Sequence, residues 1–459
     1  MKRMGFDHAI VIGAGIGGLL SAAALSRRFG SVTVIERDRL PDVPLHRRGV
    51  PQDEQMHAIL AIGQESFEDL VPGVAGEFLR AGAAWYDSPR GIASLSSQGW
   101  AARGPSEAWI YGIRRVVLED ALRRKVTEIP QVRIVEGQVV GLHPGGEDAV
   151  RGIVLKGIGR PHLHADLVVD ASGRTSHASD WLAELGFVPP PEQEIVNTVS
   201  YATAVVRLAP GTLRDDIQGY LIPPLPESPH GAVLLPCDNG LHQIVALSQS
   251  DSPPPATRER LIAHLEAVRS PVVAEAARRA DFLGDPKPFR IRGSRRRRFE
   301  DMPVHPDGFV AIGDAVLALN PIYGQGMSVA AVEARTMRDI LLETADATGA
   351  AGRIQEAFRP TLDFVFDSVV RSDGVFPGAM LHGLERPAAP KSRVLGALAT
   401  EDWKTAVALR YAGHYFSAEP LQAPEIRSRA RAWAASGRKP RRHDPRDIPR
   451  AFDGAPLPR

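Results

Sequence analysis

At 459 residues the chain is long enough for two or three domains and a sizeable buried core. Its single cysteine, Cys237, excludes an internal disulfide and suits a reducing cytoplasm. The net charge of +1 hides an asymmetry: residues 426–459 hold ten Lys or Arg and three acids, leaving 45 basic and 51 acidic groups elsewhere, so the body of the protein is not built to bind nucleic acid.

The first informative stretch runs from His8 to Arg37. Ala9-Ile10-Val11-Ile12 is a continuous apolar run ended by glycine, as in a parallel strand buried on both faces. Gly13-Ala14-Gly15-Ile16-Gly17-Gly18 follows. Gly13 is expected to allow the tight turn out of the strand, Gly15 to let the backbone approach a pyrophosphate, and Gly18 to let the next helix pack close to the strand. That helix would turn unpaired N–H groups and a partial positive charge toward the phosphates. A second strand, Ser31 to Ile35, ends in Glu36, where a carboxylate can accept hydrogen bonds from ribose hydroxyls. Met1-Lys2-Arg3 and the largely uncharged run to Leu25 imitate a signal peptide or membrane anchor. Asp7, His8 and five glycines interrupt that run, so no targeting or transmembrane segment is expected.

After a turn-rich link from Pro41 to Pro44, Gly49 and Pro51 mark a constrained loop in Arg47-Arg48-Gly49-Val50-Pro51-Gln52. A helix is predicted from about Glu54 to Val71, with His57 near its start as a polar residue on the helix edge. Residues 82–112 carry Trp85, Tyr86, Trp100, Trp109 and Tyr111 in an alternating pattern, read either as strands lining an apolar pocket or as ordinary core. An amphipathic helix follows from about Arg114 to Ile129. Arg115, at its N-terminal end, gains nothing from the helix dipole, so an anionic partner would explain it, a surface arginine being the alternative.

Ala165 to Asp170 is another buried-strand signature, running into Ala171-Ser172-Gly173-Arg174. Pro189 to Pro191 marks a boundary. Ile195 to about Ser250 then reads as antiparallel strands of a second domain, with helical stretches from Ala256 to about Ala280. His230 and His242 are read as surface or structural. The five arginines between Arg292 and Arg298 read as a solvated face, with an anion site as the alternative.

The second informative stretch is Gly308 to Arg335. Phe309 to Ile312 is one more buried strand, and Gly313-Asp314 places a carboxylate at its C-terminal edge, where α/β sheets bind ligands. Pro321-Ile322-Tyr323-Gly324-Gln325-Gly326 is a glycine-rich turn before a long helix from about Met327, a second helix N-terminus aimed at something electron-rich. Two such N-termini suit a long cofactor held at both ends. From Asp346 on, the chain reads as helices without an assignable motif.

Three spaced elements, Gly13 to Glu36, Asp170 to Gly173, and Gly313-Asp314 with Pro321 to Gly326, resemble those of the single-component FAD monooxygenases with the p-hydroxybenzoate hydroxylase fold. Within that group Gly49 to Gln52, His57 and Asn320 to Met327 are most similar to the polyene epoxidases of polyether pathways, which are akin to squalene epoxidase. The resemblance implies an α/β fold: a Rossmann-like FAD-binding domain with an inserted antiparallel-sheet substrate domain and C-terminal helices. The FAD-binding domain would occupy residues 1–80, 113–188 and 286–345. Residues 81–112 would add substrate-domain strands and 189–285 the substrate domain itself. Residues 346–425 would form a C-terminal helical region and 426–459 a basic, disordered tail.

Carried over by position, the resemblance implies that Gly13, Gly15 and Gly18 hold the FAD pyrophosphate, with Glu36 and Arg37 beside the adenosine ribose. Arg115 would contact the phosphate or ribityl region and Asp314 the ribityl and pyrophosphate region. Pro321, Gly324, Gly326 and Met327 would cover the pyrimidine end of the isoalloxazine. Gly49, Val50, Gln52 and His57 would face the flavin or the substrate. No protein nucleophile and no metal is required. A flavin hydroperoxide would epoxidise or hydroxylate a lipophilic secondary metabolite, an alkene or polyene, with O2 as co-substrate. NAD(P)H would supply electrons directly or through a flavin reductase. The related hydroxylases carry Asp-Gly where this chain has Asp170-Ala171, which leaves Asp170 structural or FAD-side and the donor open. An FAD-dependent reductase of prenyl or polyene chains, an aromatic hydroxylase, a flavin-dependent halogenase and a cofactor-free lipid chaperone are the competing readings.

Overall fold

The computed structural model describes residues 6–159, 161–250, 252–387, 394–438 and 444–455. Its centre is a five-stranded parallel sheet in the order Phe309–Ala311, Leu167–Asp170, His8–Ile12, Ser31–Glu36, Val132–Glu136. Strands buried on both faces need apolar side chains throughout, and Ala9 to Val11 are fully buried. The helices Ile16–Leu25, Arg115–Thr127 and Gly326–Glu343 pack on this sheet and complete the largest core.

The second layer is a mixed ten-stranded sheet whose backbone is Glu192–Arg207, flanked by Lys287–Arg297 and His242–Ser248. Ile92–Ser96 joins it in parallel with Gly219–Ile222, so the chain leaves the parallel sheet and returns to it more than once. Side chains along each strand alternate between faces. On one face Ala202, Ala204, Leu234, Ile244 and Ala246 pack against Leu261, Leu265, Val273 and Ala277 of the helices Arg258–Glu266 and Val272–Arg279. On the other, Tyr201, Val233, Val245 and Leu247 turn toward Met56 and Ile322.

Three expectations are corrected, and for the aromatic stretch one of two open readings is decided. The helix read from Glu54 begins only at Ala61, because tertiary hydrogen bonds hold the preceding backbone extended. Thr203 Oγ1 donates to Gln55 Oε1 and accepts from Met56 N, and Ser328 Oγ accepts from Leu60 N. The arginine run is not a solvated face. Arg292 is exposed, but Arg296 is buried between Glu300 and Asp363, while Arg297 reaches Glu192 and the carbonyl of Ala315.

The aromatic residues 85–111 do not line the central cavity: Trp85 stacks with Trp109 and contacts Tyr111 at the surface, while Trp100 is core. The basic C-terminal stretch is ordered where it is described. Pro424–Ala435 is helical, and Ile448 is buried against the outer face of the ten-stranded sheet. Residues 439–443 and 456–459 lie outside the described residues, as do 1–5. Among the described residues no helix is long and apolar enough to cross a membrane.

Candidate active site

The turn after the first strand behaves as its glycines dictate. Gly13 has φ +98°, and its N–H donates to Ile35 O at 2.8 Å, which closes the strand-to-helix turn. A Cβ on Gly18 would lie 1.8 Å from Gly13 O, so only glycine lets the helix approach, whereas a Cβ on Gly15 would project into open space. That open approach beside an uncapped helix start is a cradle for a phosphate-bearing group.

Glu36 closes the second strand. Its Oε2 accepts from Ala14 N at 2.8 Å and its Oε1 from Asp38 N at 3.0 Å. Behind it runs a buried chain of alternating charge. Arg47 lies 3.4 Å from Glu36 and pairs with Glu119, whose other oxygen accepts from Arg115 Nη2 at 2.9 Å. All four residues are less than 8 % exposed. Burial opposes the Arg47 charge, but Glu119 and Glu36 outweigh it and hold the guanidinium pKa above its usual value. Burial likewise opposes ionisation of Glu119, and Arg115 and Arg47 outweigh that, keeping its carboxyl below the usual range. Arg115 is therefore neither at the surface nor unpaired.

Asp314 follows the strand Phe309–Ala311 and lies close to the first turn, since added Cβ atoms on Gly17 and Gly313 would both meet the Ala330 side chain, at 3.6 and 3.5 Å. Burial pushes its pKa up, against the pull of Arg174 and Arg115. Gly326 opens the 18-residue helix Gly326–Glu343, and a Cβ there would lie 3.6 Å from Asp314 Oδ1. Buried Gln325 Oε1 and Arg47 Nη1 have no hydrogen-bond partner among the described residues. The preceding turn is fixed by Asp373, which accepts from Tyr323 Oη at 2.6 Å, Asn320 Nδ2 at 3.0 Å and Gln249 Nε2 at 2.9 Å. Asp170 is structural: it is fully buried and accepts from Ser172 N and Ser176 Oγ.

Beside the Pro321–Gly324 turn lies an apolar cavity. The ten-stranded sheet contributes Tyr201, Leu221, Val233, Leu235, Val245 and Leu247, and Pro321 to Gly324 form the side toward Asp314. Met56, His57 and Leu60 line it from the extended connection, and Arg410 and His414 from the helix Trp403–Tyr415. His57 Nδ1 meets Gln55 O at 3.0 Å, and burial together with Arg115 lowers its pKa to about 3. His414 Nδ1 accepts from Ala61 N at 3.3 Å, and burial with nearby Arg410 again gives a pKa of about 3. Both rings are neutral near pH 7.

Of the sequence-predicted set, Gly13, Gly15, Gly18 and Glu36 form the first turn, Arg115 sits behind it and acts on Asp314, Gly326 lies beside Asp314, and His57, Pro321 and Gly324 line the cavity. Arg37 is exposed at its strand end, and Met327 packs into the main core. Gly49 donates its N–H to Asp38 Oδ2, and neither it nor Val50 nor Gln52 lines the cavity. Arg47, Arg174, Asp373, Arg410 and His414 were not singled out as site residues, since no local spacing marks them.

A family model described as an FAD binding domain matches residues 8–361. The chain belongs to this FAD-binding domain family. Its architecture is that of the p-hydroxybenzoate hydroxylase-like flavoprotein monooxygenases, and it is an FAD-dependent enzyme of that group. The flavoprotein is 31 % identical over 356 residues to protein Rv3254 of Mycobacterium tuberculosis, covering 73 % of each chain. A shorter stretch of 142 residues, 31 % of this chain and 27 % of the relative, is 28 % identical to squalene monooxygenase 1,1 of Brassica napus. In fold it is similar to the flavin-dependent brominase Bmp2, with a TM-score of 0.61, 19 % identity and 93 % of each chain covered.

Proposed function

We propose that this flavoprotein is a monooxygenase that transfers one oxygen atom from O2 to a lipophilic substrate, preferentially as epoxidation of an alkene or polyene. The carrying observation is the cavity, whose aliphatic wall from the ten-stranded sheet meets the Pro321–Gly324 turn without an effective base among its titratable side chains. An alkene needs no proton removed before it accepts oxygen, whereas a phenol gains from a base at its hydroxyl. With pKa values near 3, His57 and His414 have little affinity for such a proton.

The residues present fit FAD. The helix starts at Ile16 and Gly326 would face its pyrophosphate and its flavin end, Glu36 and Arg37 its adenosine ribose, and Asp314 its ribityl hydroxyls. The Glu36–Arg47–Glu119–Arg115 chain supplies paired charge beside the phosphates without leaving a bare cation. Bound FAD, once reduced, supplies the oxygen-transfer chemistry. The chain's own work is then to bind, orient and exclude water. Fixed N–H groups at the start of Gly326–Glu343 stabilise negative charge there without reorganising. The aliphatic wall keeps the reacting space dry. Asp373 holds the turn between the two through three hydrogen bonds. Electrons come from NAD(P)H, directly or through a separate flavin reductase.

The test is NAD(P)H and oxygen consumption by the yellow protein with lipophilic polyenes and, separately, phenols. Polyenes are expected to stimulate uptake and to yield epoxides. Stimulation by phenols alone overturns the epoxidase preference, and anaerobic saturation of a polyene chain would assign the protein to the reductases.

A further inference from the structure

Among the described residues the cavity holds one charge, and no carboxylate answers it. Arg410 lies on the helix Trp403–Tyr415, beyond the matched family segment, and lines the cavity opposite the aliphatic sheet. It has no hydrogen-bond or ion-pair partner among the described residues. The ionisable groups facing it are the Tyr86 phenol and the His414 imidazole. Burial pushes the Tyr86 pKa up, and Tyr86 is 2 % exposed, so the phenol is neutral. His414 is neutral as well. Burial lowers the Arg410 pKa, with Tyr86 pulling slightly the other way, yet a guanidinium starts so high that it stays charged near pH 7.

An unpaired cation beside apolar walls costs stability, and although Arg410 is half-buried rather than fully buried, the fully buried arginines of this chain do not tolerate it. Arg47, Arg103, Arg115 and Arg296 each have a carboxylate. Arg410 and His414 are four apart on one helix face. Because His414 Nδ1 accepts from Ala61 N, the neutral ring carries its proton on Nε2, a second donor on a residue that lines the same cavity as Arg410. A planar fork with an adjacent N–H matches a carboxylate.

We propose that Arg410, assisted by His414, binds a carboxylate on the substrate, so that the substrate is an amphipathic acid, an apolar unsaturated chain with an acidic end, rather than a pure hydrocarbon. This rests on the oxygenase reading for what happens to the chain, but the anion subsite stands apart from it. The acid end sits against the C-terminal helix, and the chain runs along Leu221, Val233 and Leu247 toward the Pro321–Gly324 turn. The position oxidised is therefore set by its distance from the carboxylate.

The test uses the FAD-loaded protein and three probes, dec-9-enoate, its methyl ester and 1-decene, with binding read by calorimetry. Dec-9-enoate is expected to bind about tenfold or more tighter than the ester. Arg410→Met and Arg410→Gln should bring that ratio to about one, and Arg410→Lys should retain part of it. Ligand-free Arg410→Met should also melt higher than the parent, because an uncompensated charge has been removed. Equal binding of acid and ester, no binding of the acid, or an acid preference that survives Arg410→Met overturns the subsite. So does a fall in Tm in both neutral variants, which would mark Arg410 as structural. Oxygen uptake measured alongside reports separately: a clear acid preference with no uptake keeps the subsite and sinks the oxygenase reading.

Discussion

Glu333 and Asp314 stand close together around Gly313, and they are treated differently by the fold. Glu333 Oε2 accepts from Gly313 N at 2.8 Å while its Oε1 has no partner among the described residues. Burial, then the neighbouring Asp314 charge, raises its pKa well above the usual carboxylate value. A group that keeps its proton in the folded state but loses it on unfolding makes stability fall as pH rises from the ordinary glutamate range toward the raised value. Glu333→Gln keeps an acceptor for Gly313 N and removes the titration. It is expected to melt higher than the parent at pH 8, with the difference closing toward about pH 4. A Tm gap independent of pH would show that Glu333 is ionised in the folded protein. Neither this carboxyl nor Arg410 can be read from the chain, since what sets each of them is its burial among elements contributed from far along the sequence. Gly13 and Gly18 were legible because their demands are local: a positive φ in one, a carbonyl 1.8 Å from an added Cβ in the other.

The helix pair Ala61–Leu70 and Gly326–Glu343 owes its close approach to Gly63, where an added Cβ would lie 2.5 Å from Ser328 Oγ. The same hydroxyl accepts from Leu60 N, so one contact fixes both the start of the first helix and the position of the second. Gly63→Val should force the pair apart, cost about 1–3 kcal/mol and weaken retention of FAD by displacing the Gly326 helix start. An unchanged Tm together with full flavin content after gel filtration would show that the contact is soft. The late start of Ala61–Leu70 was hidden for the same reason. Glu54 to Leu60 has an acceptable helical pattern, and bonds to Thr203 and Ser328, 147 and 268 residues away from their partners, override it. The arginine run hides its burial for a related reason: Glu300 lies four residues from Arg296, but Glu192 and Asp363, which complete the pairing, lie far off in sequence. The parallel strands, by contrast, declared themselves through unbroken apolar runs.

The two large sheets share their work across the cavity, and the C-terminal stretch braces the outer side of the second. Trp100 Nε1 donates to Pro445 O at 3.0 Å, Arg103 Nη2 to Pro449 O at 2.9 Å, and Ala451 N to Asp216 Oδ2 at 3.0 Å. Composition points to disorder there because the basic residues dominate the count, while much of the anchoring is done by backbone groups, by the buried Ile448 and by Phe452, which stacks on Trp403. Removing residues 439–459 is expected to lower Tm by several degrees, since it strands the side chains of Trp100 and Arg103 without these acceptors. Flavin content should not change, because this face points away from the cavity. Loss of flavin in the truncated protein would mean that the outer face and the site are coupled.

The helix Trp403–Tyr415 has a consequence for divergence. The match to the FAD-binding family ends at residue 361, whereas one wall of the cavity comes from a later piece of chain. Selectivity can therefore drift, or be transplanted, by altering a single late helix while the redox machinery stays as inherited.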